Sequence, residues 1–301
     1  MTITSNMPVN KRTIYLRSMM AMIASVALFS FMDSFLKLLS AHYPPMQVAA
    51  LRGMSSLPLV CIYVIWRRAV PTLFRIRWKF HLLRAVIGIA MLSSFSFALQ
   101  TLPLAEAYSL FFVAPLMITG LSAPMLGEKV DAPRWRAIVI GFLGVLVVLR
   151  PTGNGVLTLA GFAVLGTAVG YAISSITVRV IGRTDSSESM VFWLMTSMSL
   201  GAGSLAAPHW VPIASGDWPL ILGLGIFGFV AQLLITEAFK HGEASTIAPF
   251  EYTALAWGIG LDWLLWHNLP DGWMLVGAAI IIASGVYLIR HQTNNIEAEH
   301  P

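Results

Sequence analysis

Charge is what this sequence has least of. Of its 301 residues only 11% are Asp, Glu, Lys or Arg, against about 25% in an ordinary soluble domain. A chain that is 57% hydrophobic has no polar shell large enough to hold it in water. Disordered proteins, nucleic-acid binders and ordinary cytosolic enzymes are excluded before any motif is read. Cysteine is nearly missing as well. Cys61 stands alone, so no intrachain disulfide and no cysteine-based metal site can form. The seven histidines lie at helix ends, in loops or in tails without HExxH spacing, and no GxxxxGK[ST] phosphate loop occurs. No metal, no cofactor and no ATP hydrolysis are expected. The long loops in which a membrane enzyme gathers acid, base or metal ligands are missing, and no filter-like segment of a channel is visible.

What remains is apolar sequence in long runs. A membrane span takes roughly 20 residues, and ten candidate helices can be laid along the chain. They cover about 16–40, 45–66, 80–100, 104–125, 134–150, 156–179, 189–207, 218–239, 244–266 and 272–290. Pro44, Pro45, Pro103, Pro133, Pro208, Pro212 and Pro270 stand at or near the breaks, where a helix cannot easily continue. The expected fold is all-α, a polytopic membrane bundle of ten transmembrane helices without a large soluble domain.

The basic residues give that bundle an orientation. With the N-terminus inside, 16 of the 19 Lys and Arg fall in cytoplasmic segments, Arg84 among them. Only Arg150 falls in an outer loop, while Lys37 and Arg52 lie within spans. This bias predicts a multi-pass protein of a bacterial-type inner (plasma) membrane with both termini cytoplasmic. The net charge of +5 is then a topology signal, and no nucleic-acid partner is expected. The first span carries Asp33 and Lys37 and lacks a clean small-residue cleavage site, which predicts an uncleaved helix rather than a signal peptide.

The chain also divides into similar halves, 1–150 and 151–301. Leu104-Ala105-Glu106-Ala107 opens the fourth span and His241-Gly242-Glu243-Ala244 opens the ninth, and the helices that follow carry Pro115 and Pro249. Each half ends in a Gly-containing helix that closes on arginine, Gly141 to Arg150 and Gly277 to Arg290. Five spans per half is an odd number, so the second half enters the membrane inverted. Two inverted five-helix repeats commonly enclose a central site that opens to either face, and the sequence at this point suggests transport.

The ordered set of local patterns resembles the drug/metabolite transporter superfamily, in its ten-helix EamA-type branch, over nearly the whole length. The resemblance rests on Asp33 to Lys37 with Arg52, and on Phe97-Ala98-Leu99 through Ala107, Ala114-Pro115 and Gly127-Glu128. It continues through Gln232-Leu233-Leu234, Ala238, Ala244-Ser245, Ala248-Pro249-Phe250-Glu251-Tyr252-Thr253, Pro270-Asp271, Gly277 and Ser284-Gly285. After the ninth span His267-Asn268 stands where the pattern would have Gly-Glu, which leaves Glu128 without a symmetric counterpart. The resemblance implies a secondary transporter of small organic metabolites, with amino acids and their derivatives as solutes. Similar members carry riboflavin, S-adenosylmethionine or drugs.

Ionisable groups within spans are costly and mark candidate sites. They are Asp33, Lys37, Arg52, Glu106, Glu237, Glu251 and Asp262. Asp33 and Lys37 are spaced to pair on one helix face, and Arg52 could meet Glu106 between helices. That outer set reads either as a structural ion-pair cluster or as a gate. Glu251, two turns into the ninth helix beside Tyr252 and just after Pro249, is the leading candidate for binding a cationic group or a proton. Trp257 and Gln232 complete the binding or coupling set of Glu251, Tyr252, Trp257, Asp33, Arg52, Glu106 and Gln232. Pro115 and Pro249 are expected as helix kinks near it. Phe97, Gln100, Tyr108, Phe111, Tyr171 and Trp193 would add aromatic and amide walls, which suit a zwitterionic or amphiphilic solute. Gly166 with Gly170, and Gly141 with Gly144, are expected at close helix contacts. The function expected is alternating access for such a small-molecule substrate, in the lipid bilayer and without enzymatic activity; a homodimer is compatible with it. A membrane enzyme or scaffold subunit is the alternative from another class.

Overall fold

The computed structural model describes residues 11–128, 130–149 and 158–267, and toward the end of the chain residues 272, 273, 275–277, 279, 280, 283, 284 and 287. Among these there is no strand. The elements are α1 (Lys11–Ser40), α2 (Pro45–Trp66), α3 (Trp78–Leu99), α4 (Leu104–Phe111), α5 (Ala114–Leu126) and α6 (Ala132–Leu149). They continue as α7 (Leu159–Ile181), α8 (Ser187–Ser197), α9 (Gly203–Ala206), α10 (Trp218–His241), α11 (Ala244–Ile247) and α12 (Ala254–Trp266).

Local chemistry explains many of the boundaries. Pro45 opens α2 where its missing N–H costs nothing. Thr158 caps α7 by accepting the Gly161 N–H, and Ser186 caps α8 by accepting that of Ser189. Gly127, at φ 68°, ends α5 in the left-handed conformation that glycine tolerates best.

Among the described residues, six segments are long and apolar enough to cross a membrane: Thr13–Ser40, Pro45–Trp66, Trp78–Leu99, Leu159–Ile181, Ser187–His209 and Ser215–His241. The fourth and ninth expected spans differ from the sequence reading. The fourth is two helices, α4 and α5, separated at Phe112 and Val113. In the ninth, a 3-10 segment, Ala248–Thr253, separates α11 from α12. Pro115 and Pro249 sit at the starts of α5 and of the 3-10 segment. Because proline cannot donate and crowds the preceding turn, each marks a break rather than a bend within a continuous helix. The described positions of the expected tenth span are all helical.

The bundle is dressed for lipid. Trp66 (75% exposed) and Leu200 (69%) lie on the outer surface, whereas Arg52, Arg84, Asp33 and Glu251 are buried. This inside-out partition is what a hydrocarbon surrounding selects. Several of the main packings, α1 on α10, α3 on α7, α2 on α8 and α10, and α4 on α12, join a segment before residue 150 to one after it. At Gly53 a Cβ would come within 2.4 Å of the Ser199 backbone nitrogen. Only glycine therefore lets α2 press against the π-helical turn Met198–Ala202 that follows α8. Gly170 and Gly141 also sit at contacts, against Met91 and Tyr252, but a Cβ at Gly166 would meet nothing within 4 Å. The expected close contact at Gly166 is not made by any described residue.

Candidate functional site

Between these packed helices lies a cavity of about 190 Å³ whose wall draws on α1, α2, α3, α4, α7, α8, α10, the π turn and the 3-10 segment. Aromatic rings make much of it, with Phe29, Phe95, Tyr108, Phe111 and Tyr171 in the wall. Its ionisable members are Asp33, Arg52, Arg84 and Glu251. A mostly apolar chamber with a few fixed polar groups is the usual form of a small-molecule site.

Glu251 reaches this chamber because of the helix break. In a 3-10 segment successive side chains turn by roughly 120°, so Phe250, Glu251 and Tyr252 point in three directions. Glu251, 4% exposed, accepts a hydrogen bond at Oε1 from Tyr171 Oη (2.9 Å), while its Oε2 has no partner among the described residues. Tyr252 turns the other way, donating at 3.4 Å to the Ile138 carbonyl and packing edge-on against Phe112. It does not line the cavity.

A second carboxyl–tyrosine pair stands on the first helix. Tyr108 Oη donates to Asp33 Oδ2 at 2.8 Å. Arg52 Nη2 donates to Gln232 Oε1 at 3.2 Å, and its guanidinium lies 5.5 Å from the centre of the Phe29 ring. Thus Asp33, Arg52, Gln232 and Glu251 line one chamber.

Other expectations are redistributed. Asp33 and Lys37 do not pair with each other. Lys37 reaches Asp262 at 3.5 Å and lies 4.1 Å from the Trp266 ring centre, so the predicted outer cluster is divided between the chamber and a separate ion pair. Glu237 pairs with His241 one turn on, at 3.2 Å and half-exposed. Trp257 is 39% exposed and touches Phe31 from the lipid side. Trp193 donates to the Leu73 carbonyl and Gln100 to that of Ser40, both outside the wall. Glu106 belongs to α4, but its side chain lies outside the described residues. Glu128 works without a counterpart. Its carboxylate accepts the N–H groups of Ala244 (2.9 Å) and Ser245 (3.0 Å), holding the start of α11.

Sequence reasoning missed Arg84, which it counted as a cytoplasmic charge. It is fully buried in the chamber wall. A signal existed: Arg84, Gly88, Met91, Leu92 and Phe95 fall at helical spacing and all line the cavity from α3. Outside the spans, Asp185 anchors the turn before α8. Burial pushes its carboxyl up, but hydrogen bonds from Thr184, the Arg77 amide and His81 outweigh this and hold it below the usual carboxylate range.

The geometry of a solute-sized chamber inside a lipid-dressed bundle agrees with comparison to known proteins. The family model of EamA-like transporters matches residues 16–150 and again residues 158–290. The chain belongs to the EamA-like transporter family. Among EamA-like relatives, the pseudopaline exporter of Pseudomonas aeruginosa is 27% identical over 90% of this chain and 95% of its own length. The riboflavin transporter of Vibrio cholerae is 29% identical over 74% of this chain and 75% of its own. The S-adenosylmethionine uptake transporter of Rickettsia prowazekii is 24% identical over 95% of this chain and 97% of its own. One solved crystal structure superposes with a TM-score of 0.74 at 19% identity, over 90% of this chain and 96% of that one, and shares the fold. This EamA-like chain is a multi-pass membrane transporter of a small metabolite, not an enzyme.

Proposed function

We propose that the protein is a secondary transporter that moves a zwitterionic or amphiphilic metabolite, an amino acid derivative or vitamin-like compound, across a bacterial-type inner membrane. Ten helices in two inverted five-helix repeats, spanning 1–150 and 151–301 with both termini cytoplasmic, would rock about the chamber in alternating access. The double family match supports the repeat, and the 15 basic residues other than Arg84 assigned to inner segments support the orientation. The breaks at Pro115 and Pro249 support a central site, since unwound backbone within a membrane is tolerated where it lines a cavity.

The observation that carries the reading is Glu251. A buried carboxylate with one tyrosine hydrogen bond and one oxygen without a partner among the described residues is costly to keep, and binding a cationic group or proton there would offset that cost. Asp33, Arg52 and Gln232 line the same chamber and would complete the contact set. Relatives named for riboflavin and S-adenosylmethionine keep aromatic solutes of that size as a second reading, favoured by the rings of Phe95, Phe111 and Tyr171 in the wall.

The test is uptake from a metabolite panel into proteoliposomes holding only this chain. Glu251→Gln should insert normally and lose uptake by about tenfold or more, or shift its pH profile. Unchanged transport across pH would sink the assignment. Absence of flux with every solute in wild-type vesicles would point to a scaffold role.

A further inference from the structure

Among the described residues, Arg84 is the least compensated buried charge. It is the seventh residue of α3, roughly 9 Å along the axis from the helix start, and only 2% exposed. It therefore does not snorkel to the membrane surface as a topology-setting arginine would. A guanidinium carries five N–H donors. Here the described contacts consist of one hydrogen bond, from Nη1 to the Met190 carbonyl at a long 3.3 Å, and Nε is buried with no partner. No carboxylate among the described residues lies within ion-pair distance of it. The nearby acid, Asp185, is committed to His81 at 2.9 Å.

A buried cation left this way destabilises the fold, and a well-packed neutral side chain would serve the structure better. Packing therefore does not explain the residue, but its position in the chamber wall does. We propose that Arg84 is an anion subsite of the transport chamber and that the solute carries a carboxylate, which the guanidinium binds as a planar two-pronged partner. This rests on the reading of the chamber as the solute site and adds the second charge of the solute. Glu251 takes the solute's ammonium and Arg84 its carboxylate, while the aromatic wall takes the apolar side chain. Arg52 is less available for this role, since Gln232 and the Phe29 ring already engage its guanidinium.

The test uses three probes that differ only at the proposed contact: L-phenylalanine, its methyl ester and 2-phenylethylamine. Their binding to the purified full chain is measured calorimetrically, and thermal unfolding is recorded for the wild type, Arg84→Gln, Arg84→Lys and Glu251→Gln. The expected result is binding of phenylalanine by the wild type about tenfold or more tighter than of either carboxylate-free probe. Arg84→Gln should erase that preference while melting at or above the wild type in the absence of probe, which a structural arginine would not do. Arg84→Lys should restore part of the preference. Equal binding of all three probes by the wild type, or no binding of any, overturns the proposal, as does a preference that survives in Arg84→Gln. If that preference survives while Glu251→Gln loses binding, only the anion subsite fails and the chamber reading stands. If neither variant changes binding, the chamber reading fails as well. Chloride that competes with no probe but stabilises the wild type and not Arg84→Gln would assign the arginine to an inorganic anion and overturn the proposal.

Discussion

Replacing Tyr171 with phenylalanine removes a single oxygen from the chamber, and its effect can be worked from the geometry. Tyr171 Oη donates to Glu251 Oε1 at 2.9 Å, and Glu251 Oε2 has no partner among the described residues. Within the described residues the deletion therefore strands the entire carboxyl group of a residue that is only 4% exposed. A hydrogen bond to a charged group is worth about 1.5–3 kcal/mol and one to a neutral group about 1 kcal/mol. The coupling between Tyr171 and Glu251 should thus be at least about 1 kcal/mol. The assay is a double-mutant cycle: denaturant unfolding in mixed micelles of the wild type, Tyr171→Phe, Glu251→Ala and the double variant. Tyr171→Phe should be destabilising in the wild-type background and nearly neutral once Glu251 is alanine, because the phenol then has no carboxyl group to serve. Strict additivity within about 0.3 kcal/mol would refute the bond and with it the account of how Glu251 is held in the chamber.

Two further outcomes follow from where side chains lie. Trp257→Ala should leave initial uptake within about twofold of the wild type, since the ring lies on the lipid side; a loss of about tenfold or more would contradict that placement. Asp185→Ala should destabilise the protein by about 2–3 kcal/mol at neutral pH by stripping His81, Thr184 and the Arg77 amide of their acceptor. Because the folded carboxyl is held below its ordinary range, its contribution is complete above about pH 4. It is lost as pH falls through the lower folded value. The melting difference from the wild type should shrink in acid, and a difference that grows there would show the sign to be wrong.

The chamber was partly legible in the sequence. Charges in apolar runs are conspicuous because hydrocarbon makes them expensive, and that rule alone found Asp33, Arg52 and Glu251. It failed for Arg84, because proximity to the basic loop after α2 made the residue look like one more orientation signal. Tyr252 and Trp257 were grouped with Glu251 through nearness along the chain. The 3-10 turn sends Tyr252 toward Ile138, and Trp257 falls on the outward face of α12.

The sequence by itself determined the membrane class, the approximate span positions and the family resemblance. These depend on runs of about 20 apolar residues and on short ordered motifs, which are local properties. Only the tertiary structure decided which polar groups face one another. Lys37 meets Asp262 across 225 positions of chain and Arg52 meets Gln232 across 180. Any acid could have met any base along so long a separation. Which pairs form depends on the rotation of each helix about its axis, and that rotation is set by packing such as α2 against the π turn at Gly53.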